Sequence, residues 1–159
     1  MSMASFAELL KSFGKSIGLA DAAPDGDGYC AMSFDDLVVH FQYDADADEL
    51  TIFSQIGEVD EDRTEGIYGM LLAANLFWQG SKGATISADP DTRHVFVADR
   101  RPIGALNGAA FQGWLGKFID TAEHWRKRLQ SVNEGGALWE GEENGATPTG
   151  PGTIPMTRV

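Results

Sequence analysis

The sequence predicts an α+β fold with the element order αβββαββα. Three segments show the apolar period of amphipathic helices, and five short segments between turn residues have the composition of strands. The turns that join these strands are two to six residues long, which implies antiparallel neighbours. We therefore expect a twisted antiparallel sheet with three helices rather than a parallel doubly wound sheet.

The first helix is expected to begin near Ser5, because Ser5 and Glu8 have the spacing of a capping box, and to end at Gly18. Its apolar residues recur at the helical period and form one stripe, which consists of Phe6, Leu9, Leu10, Phe13 and Ile17. The segment 24–28, which is rich in glycine and aspartate, then predicts a turn.

Three strands are predicted next, over residues 29–34, 37–43 and 50–56. The second of them alternates apolar residues with other residues, which is the period of a strand. A tight turn of two aspartates, Asp35 and Asp36, joins the first strand to the second, and a polar turn over residues 44–49 leads into the third.

The second helix, predicted over residues 61–79, is apolar on more than one side. One face carries Ile67, Met70, Leu71, Ala74, Phe77 and Trp78, and another carries Tyr68, Leu72 and Leu76. Gly66, Gly69 and Ala73 add small residues where another segment can approach closely. A helix that is apolar on two sides must be buried on two sides. The sheet can cover one side and a second subunit the other, so we predict a homodimer.

Two further strands, over residues 84–88 and 93–98, precede the third helix. Asn107 can cap the start of this helix. Its apolar face carries Phe111, Trp114, Leu115, Phe118, Ile119, Ala122, Trp125 and Leu129. This strong amphipathic pattern predicts a long helix packed along the core.

The helical pattern ends near residue 132. Residues 133–159 contain six glycines and three prolines, which leave little to pack. We therefore predict one domain over residues 1–132 and a flexible tail over 133–159. Leu138 and Trp139 form an apolar point in this tail, and we interpret them as a weak contact.

Acidic residues dominate the charge, with 24 acids against 12 bases and a net charge of -12. The excess lies within residues 1–65, which hold 15 acids and 3 bases. Such a surface repels nucleic acid and anionic lipid, so neither is expected as a partner. The acidity fits two explanations, solubility alone or the attraction of basic partners, and the sequence leaves both open.

The composition favours a protein of the reducing cytoplasm. No run of about 18 apolar residues is present, and the N-terminus lacks the basic start and apolar stretch of a signal peptide. Because Cys30 is the single cysteine, neither an intrachain disulfide nor a thiolate metal cluster within one chain is expected.

Several motifs suggest chemistry, but each is incomplete. Residues 14–16 resemble the end of a phosphate-binding loop, yet the glycine required five residues earlier is absent. The acidic turn 44–48 lacks the turn glycine and the final glutamate of a calcium loop. His40, His94 and His124 do not have metal-ligand spacing. We therefore predict neither enzyme activity nor a metal or other cofactor.

Several short segments, in their order and spacing, resemble a known family. They are LLKSFGKSIGL (9–19), DGYC (27–30), FDD (34–36), IGEV (56–59), LLAANLFW (71–78), GATIS (83–87) and AEHWR (122–126). Together they are similar to the class I type III secretion chaperones, the Tir-chaperone family, over about residues 4–131. The tail falls outside this resemblance.

The resemblance implies a homodimer with the fold predicted above and a task without catalysis. Chaperones of this family bind the N-terminal region of a secreted effector in the bacterial cytoplasm. They keep it soluble and partly unfolded for export, and no nucleotide takes part. The physical requirements of that task are an apolar groove for a helix and a free strand edge for an added strand.

The resemblance also implies two sets of site residues. The effector-binding groove is expected at Phe13, Ile17, Leu19, Met32, Phe34, Val39 and Phe41. The dimer interface is expected at Tyr68, Leu72, Asn75, Leu76, Phe77, Trp78 and Ile86, with Asn75 as a polar contact that fixes register. For each of these residues an ordinary place in the core is the competing interpretation.

Two other functions stay open at this point. One is a small dimeric regulatory or sensing domain that binds a folded partner or a small ligand and needs no long apolar groove. The other is a small acid/base enzyme, suggested only by the abundance of carboxylates such as Asp35, Asp36 and Asp46.

Overall fold

The computed structural model describes residues 2–139, and its elements follow the predicted order. The three helices are α1 (Met3–Ser16), α2 (Thr64–Asn75) and α3 (Gly108–Asn133). The five strands are β1 (Tyr29–Phe34), β2 (Leu37–Asp44), β3 (Glu49–Glu58), β4 (Thr85–Ala88) and β5 (His94–Pro102). Short 3-10 turns occupy Glu61–Arg63, Leu76–Trp78 and Ile103–Ala105.

The strands form one antiparallel sheet in the order β1-β2-β3-β5-β4. Hairpins join β1 to β2 and β2 to β3, as the short turns predict. The α+β prediction, with an antiparallel sheet and three helices, is confirmed. The sheet is open, so β1 and β4 are its two edges.

Alternate residues of the strands point to one side of the sheet, where helices cover them. On β2 these buried residues are Leu37, Val39, Phe41 and Tyr43. Helices α1 and α3 contact each other, and α3 also packs on β2 and β3, while α2 packs against β4. The apolar stripes of the helices and the inner faces of the strands therefore share one core.

Helix α1 begins earlier than predicted. Ser2 occupies the N-cap position, and its carbonyl accepts the backbone N–H groups of Ser5 at 2.9 Å and Phe6 at 3.2 Å. Ser5 thus lies within the first turn, and its prediction as the start of a capping box was wrong. Backbone hydrogen bonds to Ser2 extend the helix by about one turn beyond the point that the local motif indicates.

Helix α2 ends at Asn75, four residues before the predicted end at Gln79. Phe77 (φ 51) and Trp78 (φ 54) have left-handed backbone conformations, so they leave the helical path. The apolar pattern continues through both residues, but the chain must turn back here to reach β4. Tertiary structure overrides the local period at this point.

Strand β5 runs to Pro102, beyond the predicted end at residue 98, because β3 offers a partner along its whole length. Glu49 pairs with Pro102, and the Arg100 guanidinium lies 3.3 Å from the Glu49 carboxylate.

Between residues 2 and 139, none of the helices has the length and apolar content that crossing a membrane requires.

Candidate protein-binding surfaces

Strand β1 presents one side of its backbone away from the sheet. In the β1–β2 hairpin, Phe34 pairs with Leu37 across a two-residue turn, so alternate residues exchange hydrogen bonds with β2. Ala31 and Ser33 lie between those pairs and direct their backbone groups outward. The carbonyl of Tyr29, the next residue of this set, accepts the Asp25 N–H at 2.8 Å, which agrees with that direction.

A groove runs beside this edge. It has a volume of about 970 Å³ and lies between the loop 18–25 and residues 29–33 of β1. We call it the β1 groove. Its apolar lining consists of Leu19, Ala20, Ala22, Ala23, Pro24, Cys30, Ala31 and Met32.

The end of α1 positions the loop that forms this groove. The Leu19 N–H bonds the Gly14 carbonyl at 2.7 Å, and Gly18 has a positive φ of 81°. A Cβ atom at Gly14 would lie 2.4 Å from the Leu19 carbonyl oxygen, so only glycine allows this return. The two glycines therefore place Leu19, 45% exposed, at the groove and leave the neighbouring Ile17 43% exposed.

The other predicted groove residues are less accessible. Phe13 and Phe34 are half-buried, with ring centroids 6.3 Å apart, and they join the surface to the core. Met32 is buried against the groove floor, while Val39 and Phe41 lie within the core at 0% exposure. In this conformation the last two residues support the surface from behind rather than form it.

The β1 groove carries acidic groups at its rim. Asp21 and Asp25 lie on the loop, and Asp25 accepts the backbone N–H groups of Asp27 and Tyr29, each at 2.9 Å. Burial raises the pKa of the Cys30 thiol, and the Asp25 charge raises it further. Cys30 therefore stays protonated at neutral pH and contributes apolar surface to the groove.

A second apolar surface lies at the end of α2. We call it the α2 patch, and it consists of Leu72, Leu76, Phe77 and Trp78, exposed by 71%, 45%, 63% and 60%. The left-handed conformations of Phe77 and Trp78 turn the chain off the helix and leave both rings in solvent. Contiguous exposed apolar side chains of this size are typical of a protein contact.

A trough of about 200 Å³ adjoins the α2 patch. It is lined by Tyr68, Leu71, Leu72, Ile86, Ser87, Ala88 and Pro90. The structure thus brings most of the predicted interface residues into one region that joins α2 to β4. Leu71, Ala88 and Pro90 also line the trough. The sequence pattern assigned Leu71 to the core face of α2 and did not assign Ala88 or Pro90 to the interface.

Asn75, another of the predicted interface residues, contacts the backbone of β4. Its side-chain amide bonds both backbone groups of Ile86, accepting from the N–H at 2.9 Å and donating to the carbonyl at 2.7 Å. Ile86 itself is 3% exposed. These polar contacts of Asn75 are made within the chain.

The start of the predicted tail packs against α2. Residues 137–139, which we call the C-terminal strap, place Leu138 over Gly66 and Trp139 beside Gly69. Arg128 donates to the Leu138 carbonyl at 2.9 Å, and Arg63 donates to the carbonyl of Gly136 at 3.0 Å. The close approach predicted from the small residues of α2 is therefore made by the strap. The rest of the predicted tail, residues 140–159, lies outside the described residues.

One cluster on the uncovered side of the sheet was missed by the sequence analysis. The Tyr29 hydroxyl lies 2.7 Å from His40 Nδ1, and the His40 ring stacks on Phe53 with centroids 4.8 Å apart. Val38, 41% exposed, lies on the same side of β2. The alternation of β2 is the signal that indicates this face, since it separates these residues from the buried set.

The polar groups do not assemble into a metal site in the part of the chain that the structure describes, where no group of three His, Cys, Asp or Glu side chains could hold an ion. The three histidines lie apart. His40 stacks on Phe53, His94 Nε2 is 3.9 Å from Glu58, and His124 packs edge-on against Trp125.

Comparison with known proteins places this arrangement in a family. The sequence profile of the Tir chaperone protein (CesT) family matches residues 8–126, which is most of the chain. No curated protein is similar enough in sequence to be matched with it.

Solved structures with the same fold include chaperones bound to other proteins. A chain of the ExsC–ExsE complex is 25% identical, with a TM-score of 0.69, covering 80% of this chain and 95% of that one. The type III secretion chaperone SycH of Yersinia pestis, in complex with a stable fragment of YscM2, is 24% identical with a TM-score of 0.58, covering 75% and 98%. The HopA1–SchA chaperone–effector complex gives 16% identity and a TM-score of 0.62, covering 80% and 98%.

Proposed function

This chain belongs to the Tir chaperone protein (CesT) family, and from that premise we propose that it is a type III secretion chaperone that binds the N-terminal region of a secreted effector. It keeps this region soluble and partly unfolded for export. Similar structures have been solved as the ExsC–ExsE, SycH–YscM2 and SchA–HopA1 complexes, which supports a protein partner of this kind.

The observation that carries the proposal is the open edge of β1 beside an apolar groove. An extended segment adds to the sheet through the outward backbone groups of Ala31 and Ser33. Its alternate side chains then enter the β1 groove, where Leu19 offers exposed apolar surface and Ile17 is exposed beside the groove. Backbone hydrogen bonds supply sequence-tolerant affinity, and the groove selects apolar side chains.

A disordered effector segment loses conformational entropy when it binds, so a large contact surface is needed for useful affinity. A homodimer provides it by presenting two copies of the β1 groove. We propose that the α2 patch and the adjoining trough form the two-fold contact. Exposed aromatic and aliphatic side chains at the patch support this assignment, since burial against a second copy removes them from water.

The proposed site of action is the bacterial cytoplasm, and the mechanism is binding without catalysis or nucleotide. The negative charge of residues 1–65, which form α1 and the first three strands, attracts basic segments to the half of the molecule that holds the β1 groove. The same charge repels nucleic acid and anionic membranes.

Capture of partners from the cytosol of the source bacterium, without ATP, tests this function. The tagged full chain is used as bait, and bound proteins are identified by mass spectrometry after limited proteolysis. We expect one or a few secreted proteins, each with a protected stretch in its N-terminal region. Recovery of folded cytoplasmic proteins alone would instead support the regulatory domain.

A further inference from the structure

The two edges of the sheet are not equivalent. The backbone groups of the β1 edge point outward, whereas outward backbone groups of the β4 edge are hydrogen-bonded by a side chain from α2. The Asn75 amide donates to the Ile86 carbonyl at 2.7 Å and accepts the Ile86 N–H at 2.9 Å. This paired contact imitates what a neighbouring strand would offer at that position.

Ile86 is the position where such a contact matters most. β4 has four residues, Thr85–Ala88, and Ile86 faces Val97 of β5 in the register. Because Asn75 takes both backbone groups of Ile86, these groups point away from β5. Ala88 shares that direction but stands at the end of the strand, where the chain turns at Asp89. Asn75 thus occupies the central outward position of the edge.

The fold holds Asn75 at this position. α2 ends at this residue, and the returning chain is packed so closely that a Cβ at Gly80 would lie 2.9 Å from Ala74 Cα. The Ser81 N–H bonds the Ala74 carbonyl at 3.0 Å, and Trp125 donates its indole N–H to the Gly80 carbonyl at 2.9 Å. Asn75 is half-buried, and the chain is held in place on both sides of it, at Ala74 and at Gly80 and Ser81. Little rotamer freedom of the Asn75 side chain is therefore lost when its amide binds Ile86.

We propose that Asn75 closes the β4 edge against strand addition, above all by a second copy of this chain. The need arises because β4 adjoins the α2 patch, where the proposed two-fold contact brings two copies together. With Ile86 free, two β4 strands in that contact could pair and merge their sheets, and the open β1 edges would allow further growth. With Ile86 occupied, copies meet through side chains, and β1 is left as the edge for an effector segment. That last point and the meeting of copies at the α2 patch rest on the proposed function.

The test uses the full chain alone, without an effector, so its failure is distinct from failure of the proposed function. In the Asn75→Ala variant we expect the Ile86 amide to exchange about five- to tenfold faster, as for a lost hydrogen bond. We also expect the mass by light scattering to rise above the wild-type mass as concentration increases. A folded Asn75→Ala variant that keeps the wild-type mass at every concentration overturns the proposal.

Two further variants separate edge closure from general destabilisation. Asn107→Ala also removes a side-chain bond to a backbone N–H, that of Ala110 at 2.8 Å, but far from β4, so its mass should stay at the wild-type value. Thr85→Lys in the Asn75→Ala background puts a charge on the exposed side of the edge and should restore the wild-type mass. If Asn75→Ala does not fold, exchange in the wild type decides. An Ile86 amide that exchanges as fast as a solvent-exposed amide overturns the proposal, and strong protection supports it.

Discussion

Leu138 lies against Gly66 so closely that a Cβ atom at Gly66 would come within 2.5 Å of Leu138 Cδ1. This contact joins the C-terminal strap to the first turns of α2, 72 positions earlier in the chain. Arg128 holds the Leu138 carbonyl at 2.9 Å from the neighbouring α3. The strap therefore links α2 to α3 on a side of α2 that the sheet does not cover.

The variants Gly66→Ala and Leu138→Ala should be energetically coupled. With Leu138 truncated, alanine at Gly66 should raise the free energy of unfolding by about 0.5–1 kcal/mol, because alanine has a higher helix propensity than glycine. With Leu138 present, displacement of its side chain should cancel that gain. Urea unfolding of the four members of the cycle measures the coupling. Additive effects within about 0.3 kcal/mol would show that the strap is not seated on Gly66 in solution.

Leu72→Asp should abolish the proposed two-fold contact without unfolding the chain. Leu72 is 71% exposed, so the substitution removes little core packing but places a charge in the centre of the α2 patch. We expect light scattering at micromolar concentration to give the mass of two chains for the wild type and of one chain for the variant. Ala109→Asp, at an exposed position on α3, is the matched control and should keep the wild-type mass. A wild type with the mass of one chain would refute the dimer.

Leu19→Glu should weaken effector binding at the β1 groove. Enclosing a carboxylate beside an apolar side chain is costly, and Asp21 and Asp25 add like charge, so we expect Kd to rise at least about tenfold. The measurement is titration of the variant with the N-terminal segment of the protein recovered in the capture experiment. Ala109→Glu should bind as the wild type does. Equal affinity for Leu19→Glu would move the binding surface away from the loop 18–25.

Asp89 should contribute to stability above its ordinary pKa. Hydrogen bonds from the backbone N–H groups of Asp91 at 2.8 Å and Thr92 at 3.3 Å lower the pKa of Asp89 in the folded chain from 3.8. A pKa that is lower in the folded state gives stability that is complete above 3.8 and is lost as the pH falls through the folded value.

Asp89→Asn should therefore lower the free energy of unfolding at neutral pH but have a diminishing effect in acid. Urea unfolding between about pH 2 and pH 7 measures the difference between the variant and the wild type. Asp46→Asn, an exposed position on the β2–β3 turn, controls for the loss of one negative charge. A difference between Asp89→Asn and the wild type that does not change with pH would contradict the assignment.

The local patterns predict the elements well because each depends on near neighbours in sequence. The alternation of β2 appears in the structure as one buried side of the strand. The stripe of α1 is buried at Phe6 and Leu10, whereas Ile17 lies beyond the end of the helix and is exposed. The end of α2 was not predictable in this way. Phe77 and Trp78 continue the apolar period, but contacts of Asn75 with Ile86 and of Gly80 with Ala74 turn the chain.

The surfaces were harder to predict than the elements. Strand alternation assigns Val39 and Phe41 to one face, but it does not state whether the helices or a partner covers that face. Both are buried by this chain, whereas Leu19, outside any element, reaches the surface. The seat of Leu138 on Gly66 depends on a contact between distant segments, for which a single sequence carries no local signal.

The left-handed turn at Phe77 and Trp78 has a consequence for the rate of the proposed association of two copies. Residues other than glycine in this conformation are strained by on the order of 1–3 kcal/mol each, and they persist only where the surrounding fold determines them. Here the returning chain at Gly80 and Ser81 does so before any partner arrives. The backbone that presents the two aromatic rings is thus preorganised, and the proposed association does not wait for a loop to rearrange.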